Sequence, residues 1–217
     1  MKERLNGIFE SNRMLYTKSI TPGVKFFEEE TIRENGEEYR NFNPTRSKLA
    51  AGAVKGIKET GIQSGSGVLY LGAAHGYTVS FVSDIIGSSG FIFAVDFAPR
   101  VVRDLVFVAE KRKNIAPILA DANRPESYFH RIAAVDVLYQ DIAQKNQTEI
   151  FLKNAGLFLK KGGYGIIAVK ARSIDVTKEP KKIFHEVKNE LEKEMAIIDY
   201  RILEPFQRAH AIFVLRT

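Results

Sequence analysis

A buried strand that runs into a glycine turn is the feature that most constrains the fold of this 217-residue chain. The segment 68–72 is apolar up to Gly72, a second glycine follows at Gly76, and a helical pattern begins directly after it. A second apolar run, 91–96, ends in the carboxylate of Asp96. Glycines in such a turn let the backbone approach a ligand, and an acid that ends the next strand can accept hydrogen bonds from a ribose diol. The pattern predicts a cradle for a nucleotide-type cofactor.

Strand and helix patterns alternate through the rest of the chain. The predicted strands are 68–72, 91–96, 115–120, 135–140 and 164–169, and the predicted helices are 77–87, 99–113, 146–159 and 178–194. Apolar strands that alternate with helices are typical of a parallel sheet covered on both faces. Two last strands, 196–203 and 210–215, are joined by a linker too short for a parallel crossover, so we expect them to pair antiparallel. An α/β fold of this kind, closed by a terminal antiparallel hairpin, is typical of Rossmann-like class I methyltransferases and unusual in dinucleotide dehydrogenases.

The first 50 or so residues have a different pattern. Their short apolar segments, separated by Asn, Pro and Gly, include 8–9, 15–16 and 24–27. The Asn-Gly pair at 35–36 is a strong signal for a hairpin turn. We therefore expect a small N-terminal β appendage that ends near 43–44, followed by a helix over 47–57. The predicted division is 1–56 for the appendage and this helix, and 57–217 for the methyltransferase domain.

Composition narrows the classes of protein. The 45% apolar content is sufficient for a hydrophobic core. The chain has no cysteine, which excludes disulfides, thiolate metal sites and a thiol nucleophile. Its start lacks the apolar stretch of a signal peptide, and no apolar run approaches the length of a membrane span. We expect a cytoplasmic protein without a metal site, and without an association with membranes.

The net charge of +6 is unevenly distributed. Residues 1–56 carry ten bases and eight acids, residues 57–150 nine and ten, and residues 151–217 thirteen and eight. A basic surplus at both ends, around a neutral cofactor half, suits a polyanionic substrate such as RNA. For the lysines mixed with glutamates in 178–193 we favour the alternative that they only solvate a helix surface, so charge alone does not decide the substrate.

Three acids follow three successive predicted strands. Asp96 ends the second strand, Asp121 follows the third and Asp141 follows the fourth. Ligands of open α/β sheets bind beyond the carboxyl ends of the strands. One such acid could simply cap a helix, but three in series favour a binding crevice. The turn between Gly72 and Gly76 lacks the G-x-G-x-x-G spacing of a dinucleotide site, although a glycine turn is weak evidence by itself.

Three basic side chains are expected at the same edge of the sheet. Lys170 ends the fifth strand, and His210 begins the final strand, which runs in the opposite direction. Lys48 lies on the helix that leads into the domain and could reach the opening of the binding crevice at this edge. Each has an ordinary structural explanation alone, as a solvated or hydrogen-bonded side chain. Their convergence near Asp141 favours a catalytic site.

Four sequence blocks, in order along the chain, resemble the fibrillarin family. They are 43–51 (NPTRSKLAA), 139–144 (YQDIAQ), 168–175 (AVKARSID) and 204–210 (EPFQRAH). The resemblance extends over essentially the whole chain. The glycine- and arginine-rich tail of eukaryotic members is absent, so the sequence is most similar to the archaeal form. Two positions depart from the family pattern: Phe42 stands where Trp is usual, and Asp96 where Glu is usual.

The resemblance implies an S-adenosylmethionine-dependent ribose 2′-O-methyltransferase with a catalytic set of Lys48, Asp141, Lys170 and His210. We favour Lys170 as the base, oriented by Asp141, but the sequence does not separate it from Lys48 or His210. Two neighbouring lysines could lower one another's pKa enough for one of them to act. The residues expected to bind the cofactor are Gly72, Ala73, Gly76, Thr78, Val79, Asp96, Phe97, Asp121, Ala122, Asp141, Ile142, Ala143 and Gln144.

The resemblance also implies the substrate and the partners. The expected reaction is methylation of rRNA, and of tRNA in archaea, at sites chosen by box C/D guide RNA. The expected partners are a Nop-domain scaffold protein and a kink-turn-binding protein of the ribosomal type. Two alternatives are a methyltransferase that acts on a small molecule or protein side chain, and a non-catalytic RNA-binding scaffold. The basic ends argue against the first alternative, and the intact catalytic set against the second.

Overall fold

The computed structural model describes all 217 residues and contains two β-sheets. The strands are β1 (Lys2–Leu5), β2 (Ile8–Ser11), β3 (Met14–Lys18), β4 (Thr31–Glu34), β5 (Glu37–Asn41), β6 (Gly67–Leu71), β7 (Phe91–Asp96), β8 (Ile115–Leu119), β9 (Val135–Gln140), β10 (Leu159–Lys170), β11 (Ala196–Ile202) and β12 (His210–Arg216). The helices are α1 (Lys48–Val54), α2 (Tyr77–Ile86), α3 (Pro99–Lys111), α4 (Gln147–Phe158), α5 (Ala171–Ile174) and α6 (Pro180–Leu191). None of these helices combines the length and apolar character needed to cross a bilayer.

The larger sheet has seven strands in the order β11-β12-β10-β9-β6-β7-β8. Strands β6 to β10 pair in parallel, while β12 runs antiparallel to both β10 and β11. The predicted Rossmann-like sheet with a terminal antiparallel hairpin is therefore confirmed. Because β12 runs in the opposite direction, its first residue lies at the carboxyl edge of the parallel strands.

The two faces of this sheet contribute to separate apolar cores, because successive side chains of a strand point to opposite faces. In β6, Val68 and Tyr70 contribute to one core, while Leu69 and Leu71 contribute to the other. Helices α2 and α3 cover the first face, and α4 and α6 cover the second. The helices thereby hold the carboxyl ends of β6, β7, β9 and β10 along one edge.

The N-terminal sheet has five antiparallel strands in the order β1-β2-β3-β5-β4. The predicted hairpin turn joins β4 to β5, and both Asn35 and Gly36 have positive φ, as an Asn-Gly turn requires. This sheet packs against α2 in a core shared with the larger sheet, and Phe42 stacks on Phe81 with ring centroids 4.5 Å apart. The predicted antiparallel appendage is present, and the division at residue 56 stays a prediction.

A buried ionic network also ties the N-terminal sheet to α2. Arg40 of β5 donates to Asp84 of α2 at 2.7 Å and to Glu29 at 2.7 Å. Arg112 donates to the other oxygen of Asp84, also at 2.7 Å. The side chain of Thr17 donates to Asp84 as well, at 2.7 Å. Charged groups are retained in a core only when they are paired in this way.

Several element boundaries differ from the sequence predictions. The short apolar segment 24–27, which we expected to belong to the antiparallel appendage, is not a strand, and its Phe26 and Phe27 side chains pack against the core from a loop. Helix α1 covers 48–54 and stops before Gly56, which has a φ of 86°. Strand β10 begins earlier than predicted, at Leu159. The predicted helix over 178–194 is shorter in the structure: α6 begins at Pro180 and ends at Leu191.

Candidate functional site

The turn after β6 brings three strand ends into contact. Gly72 has a φ of 82°, and its N–H donates to the carbonyl of Val95 at 2.9 Å. A Cβ on this residue would lie 2.2 Å from the carbonyl oxygen of Asp141. Only glycine permits both the left-handed backbone and this close approach. The turn therefore packs directly on the segment that follows β9.

A cavity lies beside this turn at the carboxyl edge of β6, β7 and β9. It is lined by Gly72, Ala74, Val95, Asp96, Phe97, Ala120, Ala122, Asp141, Ile142, Ala143 and Gln144. Most of the predicted cofactor residues are thus brought together. Ala74, Val95 and Ala120 were missed, although each lies within two positions of a predicted residue along its segment. The walls are mainly apolar, and two carboxylates, Asp96 and Asp141, stand among them.

The carboxylate of Asp96 is held by two backbone groups. The N–H of Ala74 donates to Oδ2 at 2.9 Å, and the N–H of Ala98 donates to Oδ1 at 3.0 Å. Each oxygen has a further lone pair, so the group can still accept hydrogen bonds from a ligand. The neighbouring ring of Phe97 is 67% exposed, an unusual environment for phenylalanine that leaves its face open to a planar ligand.

Five of the predicted cofactor residues do not line the cavity. Val79 is fully buried in the core, and Thr78 donates to the Ser47 hydroxyl at 3.0 Å. Ala73 is almost completely buried in the turn, and Gly76, with a φ of 90°, is the N-cap of α2. Asp121 accepts from the backbone N–H two residues later, at 2.9 Å, in a local turn. These five residues lie in the turn after β6, in α2 and in the loop after β8, and their contact with a cofactor stays a prediction.

The four predicted catalytic residues meet at one end of the cavity. The amine of Lys48 lies 2.9 Å from Oδ2 of Asp141, and both side chains are about one-fifth exposed, at 23% and 21%. Lys170 and His210 are direct partners across β10 and β12. The carboxylate of Asp141 thus forms its ion pair with Lys48 and not with Lys170, the residue that we expected it to orient.

His210 is influenced by the charges of the other three residues. Burial lowers the pKa of its imidazole, and the Lys48 and Lys170 charges lower it further, against opposing contributions from the Arg208 carbonyl and Asp141. Its Nδ1 lies 2.7 Å from that carbonyl. A neutral ring that donates from Nδ1 keeps Nε2 as a free acceptor. His210 is therefore neutral at pH 7 and can accept a proton or a hydrogen bond.

Two stacked phenols lie in the core within the electrostatic influence of Asp141. Tyr70 and Tyr139 have ring centroids 4.5 Å apart and are almost completely buried. Burial holds the pKa of both phenols well above the ordinary tyrosine value, and the Asp141 charge adds to the effect. Both phenols therefore stay neutral near pH 7.

Comparison with known proteins identifies the family of this chain. The family model described as fibrillarin matches residues 1–217. The chain belongs to the fibrillarin family. It is 48% identical, over 220 residues, to the fibrillarin-like rRNA/tRNA 2′-O-methyltransferase of Thermococcus gammatolerans, with 99% of this chain and 97% of the relative covered.

Two solved fibrillarin structures are also closely similar to this chain. Aeropyrum pernix fibrillarin, in complex with natively bound S-adenosyl-L-methionine, has a TM-score of 0.90 and 45% identity, with 99% of this chain and 96% of that chain covered. A fibrillarin from a fibrillarin/Nop5p complex has a TM-score of 0.89 and 40% identity, with 100% of both chains covered. The fold of this chain thus matches that of one fibrillarin that binds S-adenosyl-L-methionine and of another that is found in a complex with Nop5p.

Proposed function

We propose that this chain is the catalytic subunit of an archaeal ribonucleoprotein in which a box C/D guide RNA selects the riboses to be methylated. The underlying activity is S-adenosylmethionine-dependent 2′-O-methylation of RNA. The observation that supports the proposal is that a cofactor-sized cavity and a group of four polar side chains lie at the same edge of the sheet. A cavity built on the Gly72 turn opens beside Lys48, Asp141, Lys170 and His210.

The cavity suits S-adenosylmethionine because its two carboxylates match two features of that molecule. Asp96 can accept hydrogen bonds from a ribose diol, and the exposed Phe97 ring and the wall at Ala122 can contact an adenine. Asp141, among the residues 141–144, lies at the catalytic end, where a carboxylate attracts a positive charge. When bound, S-adenosylmethionine supplies an activated methyl group on a sulfonium.

The side chains around the catalytic end have to place a ribose hydroxyl and remove its proton. Such a hydroxyl is a poor nucleophile near neutral pH, so a positioned base accelerates its reaction. Because Lys48 is tied to Asp141 by their ion pair, Lys170 and the neutral His210 are the groups that can accept the proton, and of these we propose Lys170 as the base. His210, neutral and directly across from Lys170, can accept a hydrogen bond from the same hydroxyl. Lys48, and Lys170 once it has accepted the proton, provide positive charge that stabilises the developing alkoxide.

We place the choice of target nucleotide outside this chain. Its basic surplus is modest and confined to the two ends, and such surfaces bind phosphates without reading sequence. The Nop5p-bound relative supports a Nop-domain scaffold as the protein that docks this subunit. The proposed assembly adds a kink-turn-binding protein, the guide RNA and an rRNA or tRNA target, in the archaeal cytoplasm.

The decisive comparison is methyl transfer to a guide-specified ribose by the isolated chain and by the complete complex. The complex is expected to methylate that ribose, and the isolated chain to bind RNA weakly, with an affinity that falls steeply as salt increases. A scrambled guide sequence is the matched control and should move or abolish the modification. Selective methylation of the same ribose by the isolated chain would show that the chain itself reads the target. Absence of transfer by the complete complex would favour a non-catalytic scaffold.

A further inference from the structure

The carboxyl end of β10 is supported by strands on one side only. Strand β9 pairs with β10 no further than Gln140 opposite Ile167. On the other side, β12 pairs with β10 to the end, where His210 lies opposite Lys170. Lys170 therefore extends beyond its β9 neighbour, and the chain turns into α5 at the next residue. Something else has to fix the backbone of this residue on the β9 side.

The carboxamide of Gln147 occupies the place of the missing strand. The N–H of Lys170 donates to Oε1 of Gln147 at 3.1 Å, and Nε2 of Gln147 donates to the carbonyl of Lys170 at 3.1 Å. The Gln147 residue is completely buried, and its own carbonyl accepts from Nε2 of Gln140 at 2.7 Å. An uncharged amide offers one acceptor and donors on a planar group, so it can pair with a residue as another peptide would.

We propose that Gln147 is a positioning residue for Lys170, acting through the two hydrogen bonds that its carboxamide makes to the Lys170 backbone. The proposal rests on the proposed function, in which the Lys170 amine acts on the ribose hydroxyl. Gln147 does not line the cofactor cavity, so its effect should fall on the chemical step and not on binding of the methyl donor. A displacement of about 1 Å at a reacting group can lower a rate by about 100-fold.

The test uses three variants in the reconstituted complex with guide and target RNA. Gln147→Met keeps the length of the side chain and removes both hydrogen bonds. Gln147→Glu keeps the acceptor and, when protonated, also the donor. Asn114→Leu is the matched control: Asn114 is another buried amide, which donates to the carbonyls of Ser83 and Gly87, and it lies at the opposite edge of the sheet. For each variant, kcat, KM for RNA, affinity for S-adenosylmethionine and melting temperature are measured.

Gln147→Met is expected to lower kcat by about 10- to 100-fold, with KM and cofactor affinity near wild type. Asn114→Leu is expected to lower the melting temperature while kcat is retained. Gln147→Glu should have a higher kcat than Gln147→Met. Its kcat relative to wild type at the same pH should also rise as the pH falls and the carboxyl takes up its proton, a response that a purely structural role would not produce.

The proposal is overturned if Gln147→Met keeps the wild-type kcat, or if Asn114→Leu loses kcat to the same extent. It is also overturned if Gln147→Glu stays at the level of Gln147→Met at every pH. These outcomes all require an active wild-type complex. If that complex does not methylate the guide-specified ribose, the proposed function fails, and this inference fails with it.

Discussion

Substitution of Gly72 by alanine is a demanding test of the site, because the new methyl group would meet backbone and not a movable side chain. The Cβ would lie 2.2 Å from the Asp141 carbonyl oxygen and 2.9 Å from Cγ2 of Ile142. Non-bonded heavy atoms prefer separations of about 3.5–4.0 Å, so the segment after β9 would have to move by about 1 Å or more. That segment carries both the cavity wall and the Asp141 carboxylate.

The expected cost for Gly72→Ala has two parts. Alanine at a left-handed φ costs about 1–2 kcal/mol, and forcing a methyl group into a packed site costs about 1–3 kcal/mol. The sum is about 2–5 kcal/mol in the free energy of unfolding. At about 2–4 °C per kcal/mol for a chain of this size, the melting temperature should fall by about 4–20 °C. Affinity for S-adenosylmethionine and kcat should both fall, because the cavity wall and Asp141 move together.

Two other glycines separate these contributions. Gly162 has a φ of 77°, and a methyl group added there would have no atom within 4 Å, so Gly162→Ala reports the backbone cost alone. Gly156 lies in α4 with open space around it, so Gly156→Ala should stabilise the protein by about 0.5–1 kcal/mol. Thermal unfolding and calorimetric titration with S-adenosylmethionine provide the comparison. If Gly72→Ala is no less stable than Gly162→Ala and binds the cofactor like wild type, the proposed packing of the turn on Asp141 is wrong.

Three further predictions concern the cofactor, the base and the buried ionic network. Calorimetry should show binding of S-adenosylmethionine and none of NAD, and the reverse preference would contradict the assignment of the cavity. Lys170→Ala should lower the methylation rate by about 10²–10⁴-fold with little change in cofactor affinity, and a near wild-type rate would exclude it as the base. Burial alone would raise the pKa of Glu29, but Arg40 and hydrogen bonds lower it overall, so its ionised form stabilises the fold. In urea unfolding at pH 7, Glu29→Gln should therefore lower the free energy of unfolding by about 3 kcal/mol. The difference between wild type and variant should shrink as the pH falls from about 4.3 through the folded-state pKa of Glu29. A difference that does not change with pH would contradict this coupling between protonation and stability.

Periodicity was sufficient to predict the elements of the larger sheet. The strands ending at Asp96 and Gln140 are each followed by a helix, and their buried residues leave few alternatives to a parallel sheet. Strand β1 (Lys2–Leu5) was missed because it offers only one apolar residue to an alternating pattern. The segment 24–27 was misassigned because its aromatic residues fill the core from a loop, and local sequence does not distinguish these two uses of phenylalanine.

The sequence was sufficient to predict which residues lie in the catalytic site, but not which of them contact one another. Strand ends placed Asp141, Lys170 and His210 at one edge, because the direction of each strand follows from the connection lengths. The ion pair between Lys48 and Asp141 depends on how α1 packs, and no spacing in the sequence encodes that contact. The hydrogen bonds of Gln147 were not predictable for the same reason, since they depend on where β9 stops pairing.

The central claim is that the 2′-hydroxyl of the guide-specified ribose accepts the methyl group, and this claim can be tested by changing that single oxygen atom. The complete complex is given labelled S-adenosylmethionine and either of two target RNAs, which differ only by a 2′-hydroxyl or a 2′-hydrogen at the guide-specified nucleotide. We predict that label enters the first RNA at that ribose, at one methyl per target, and that it does not enter the second. Equal labelling of both RNAs, or labelling of a base or a protein in place of the ribose, would contradict the assignment of this site to ribose 2′-O-methylation.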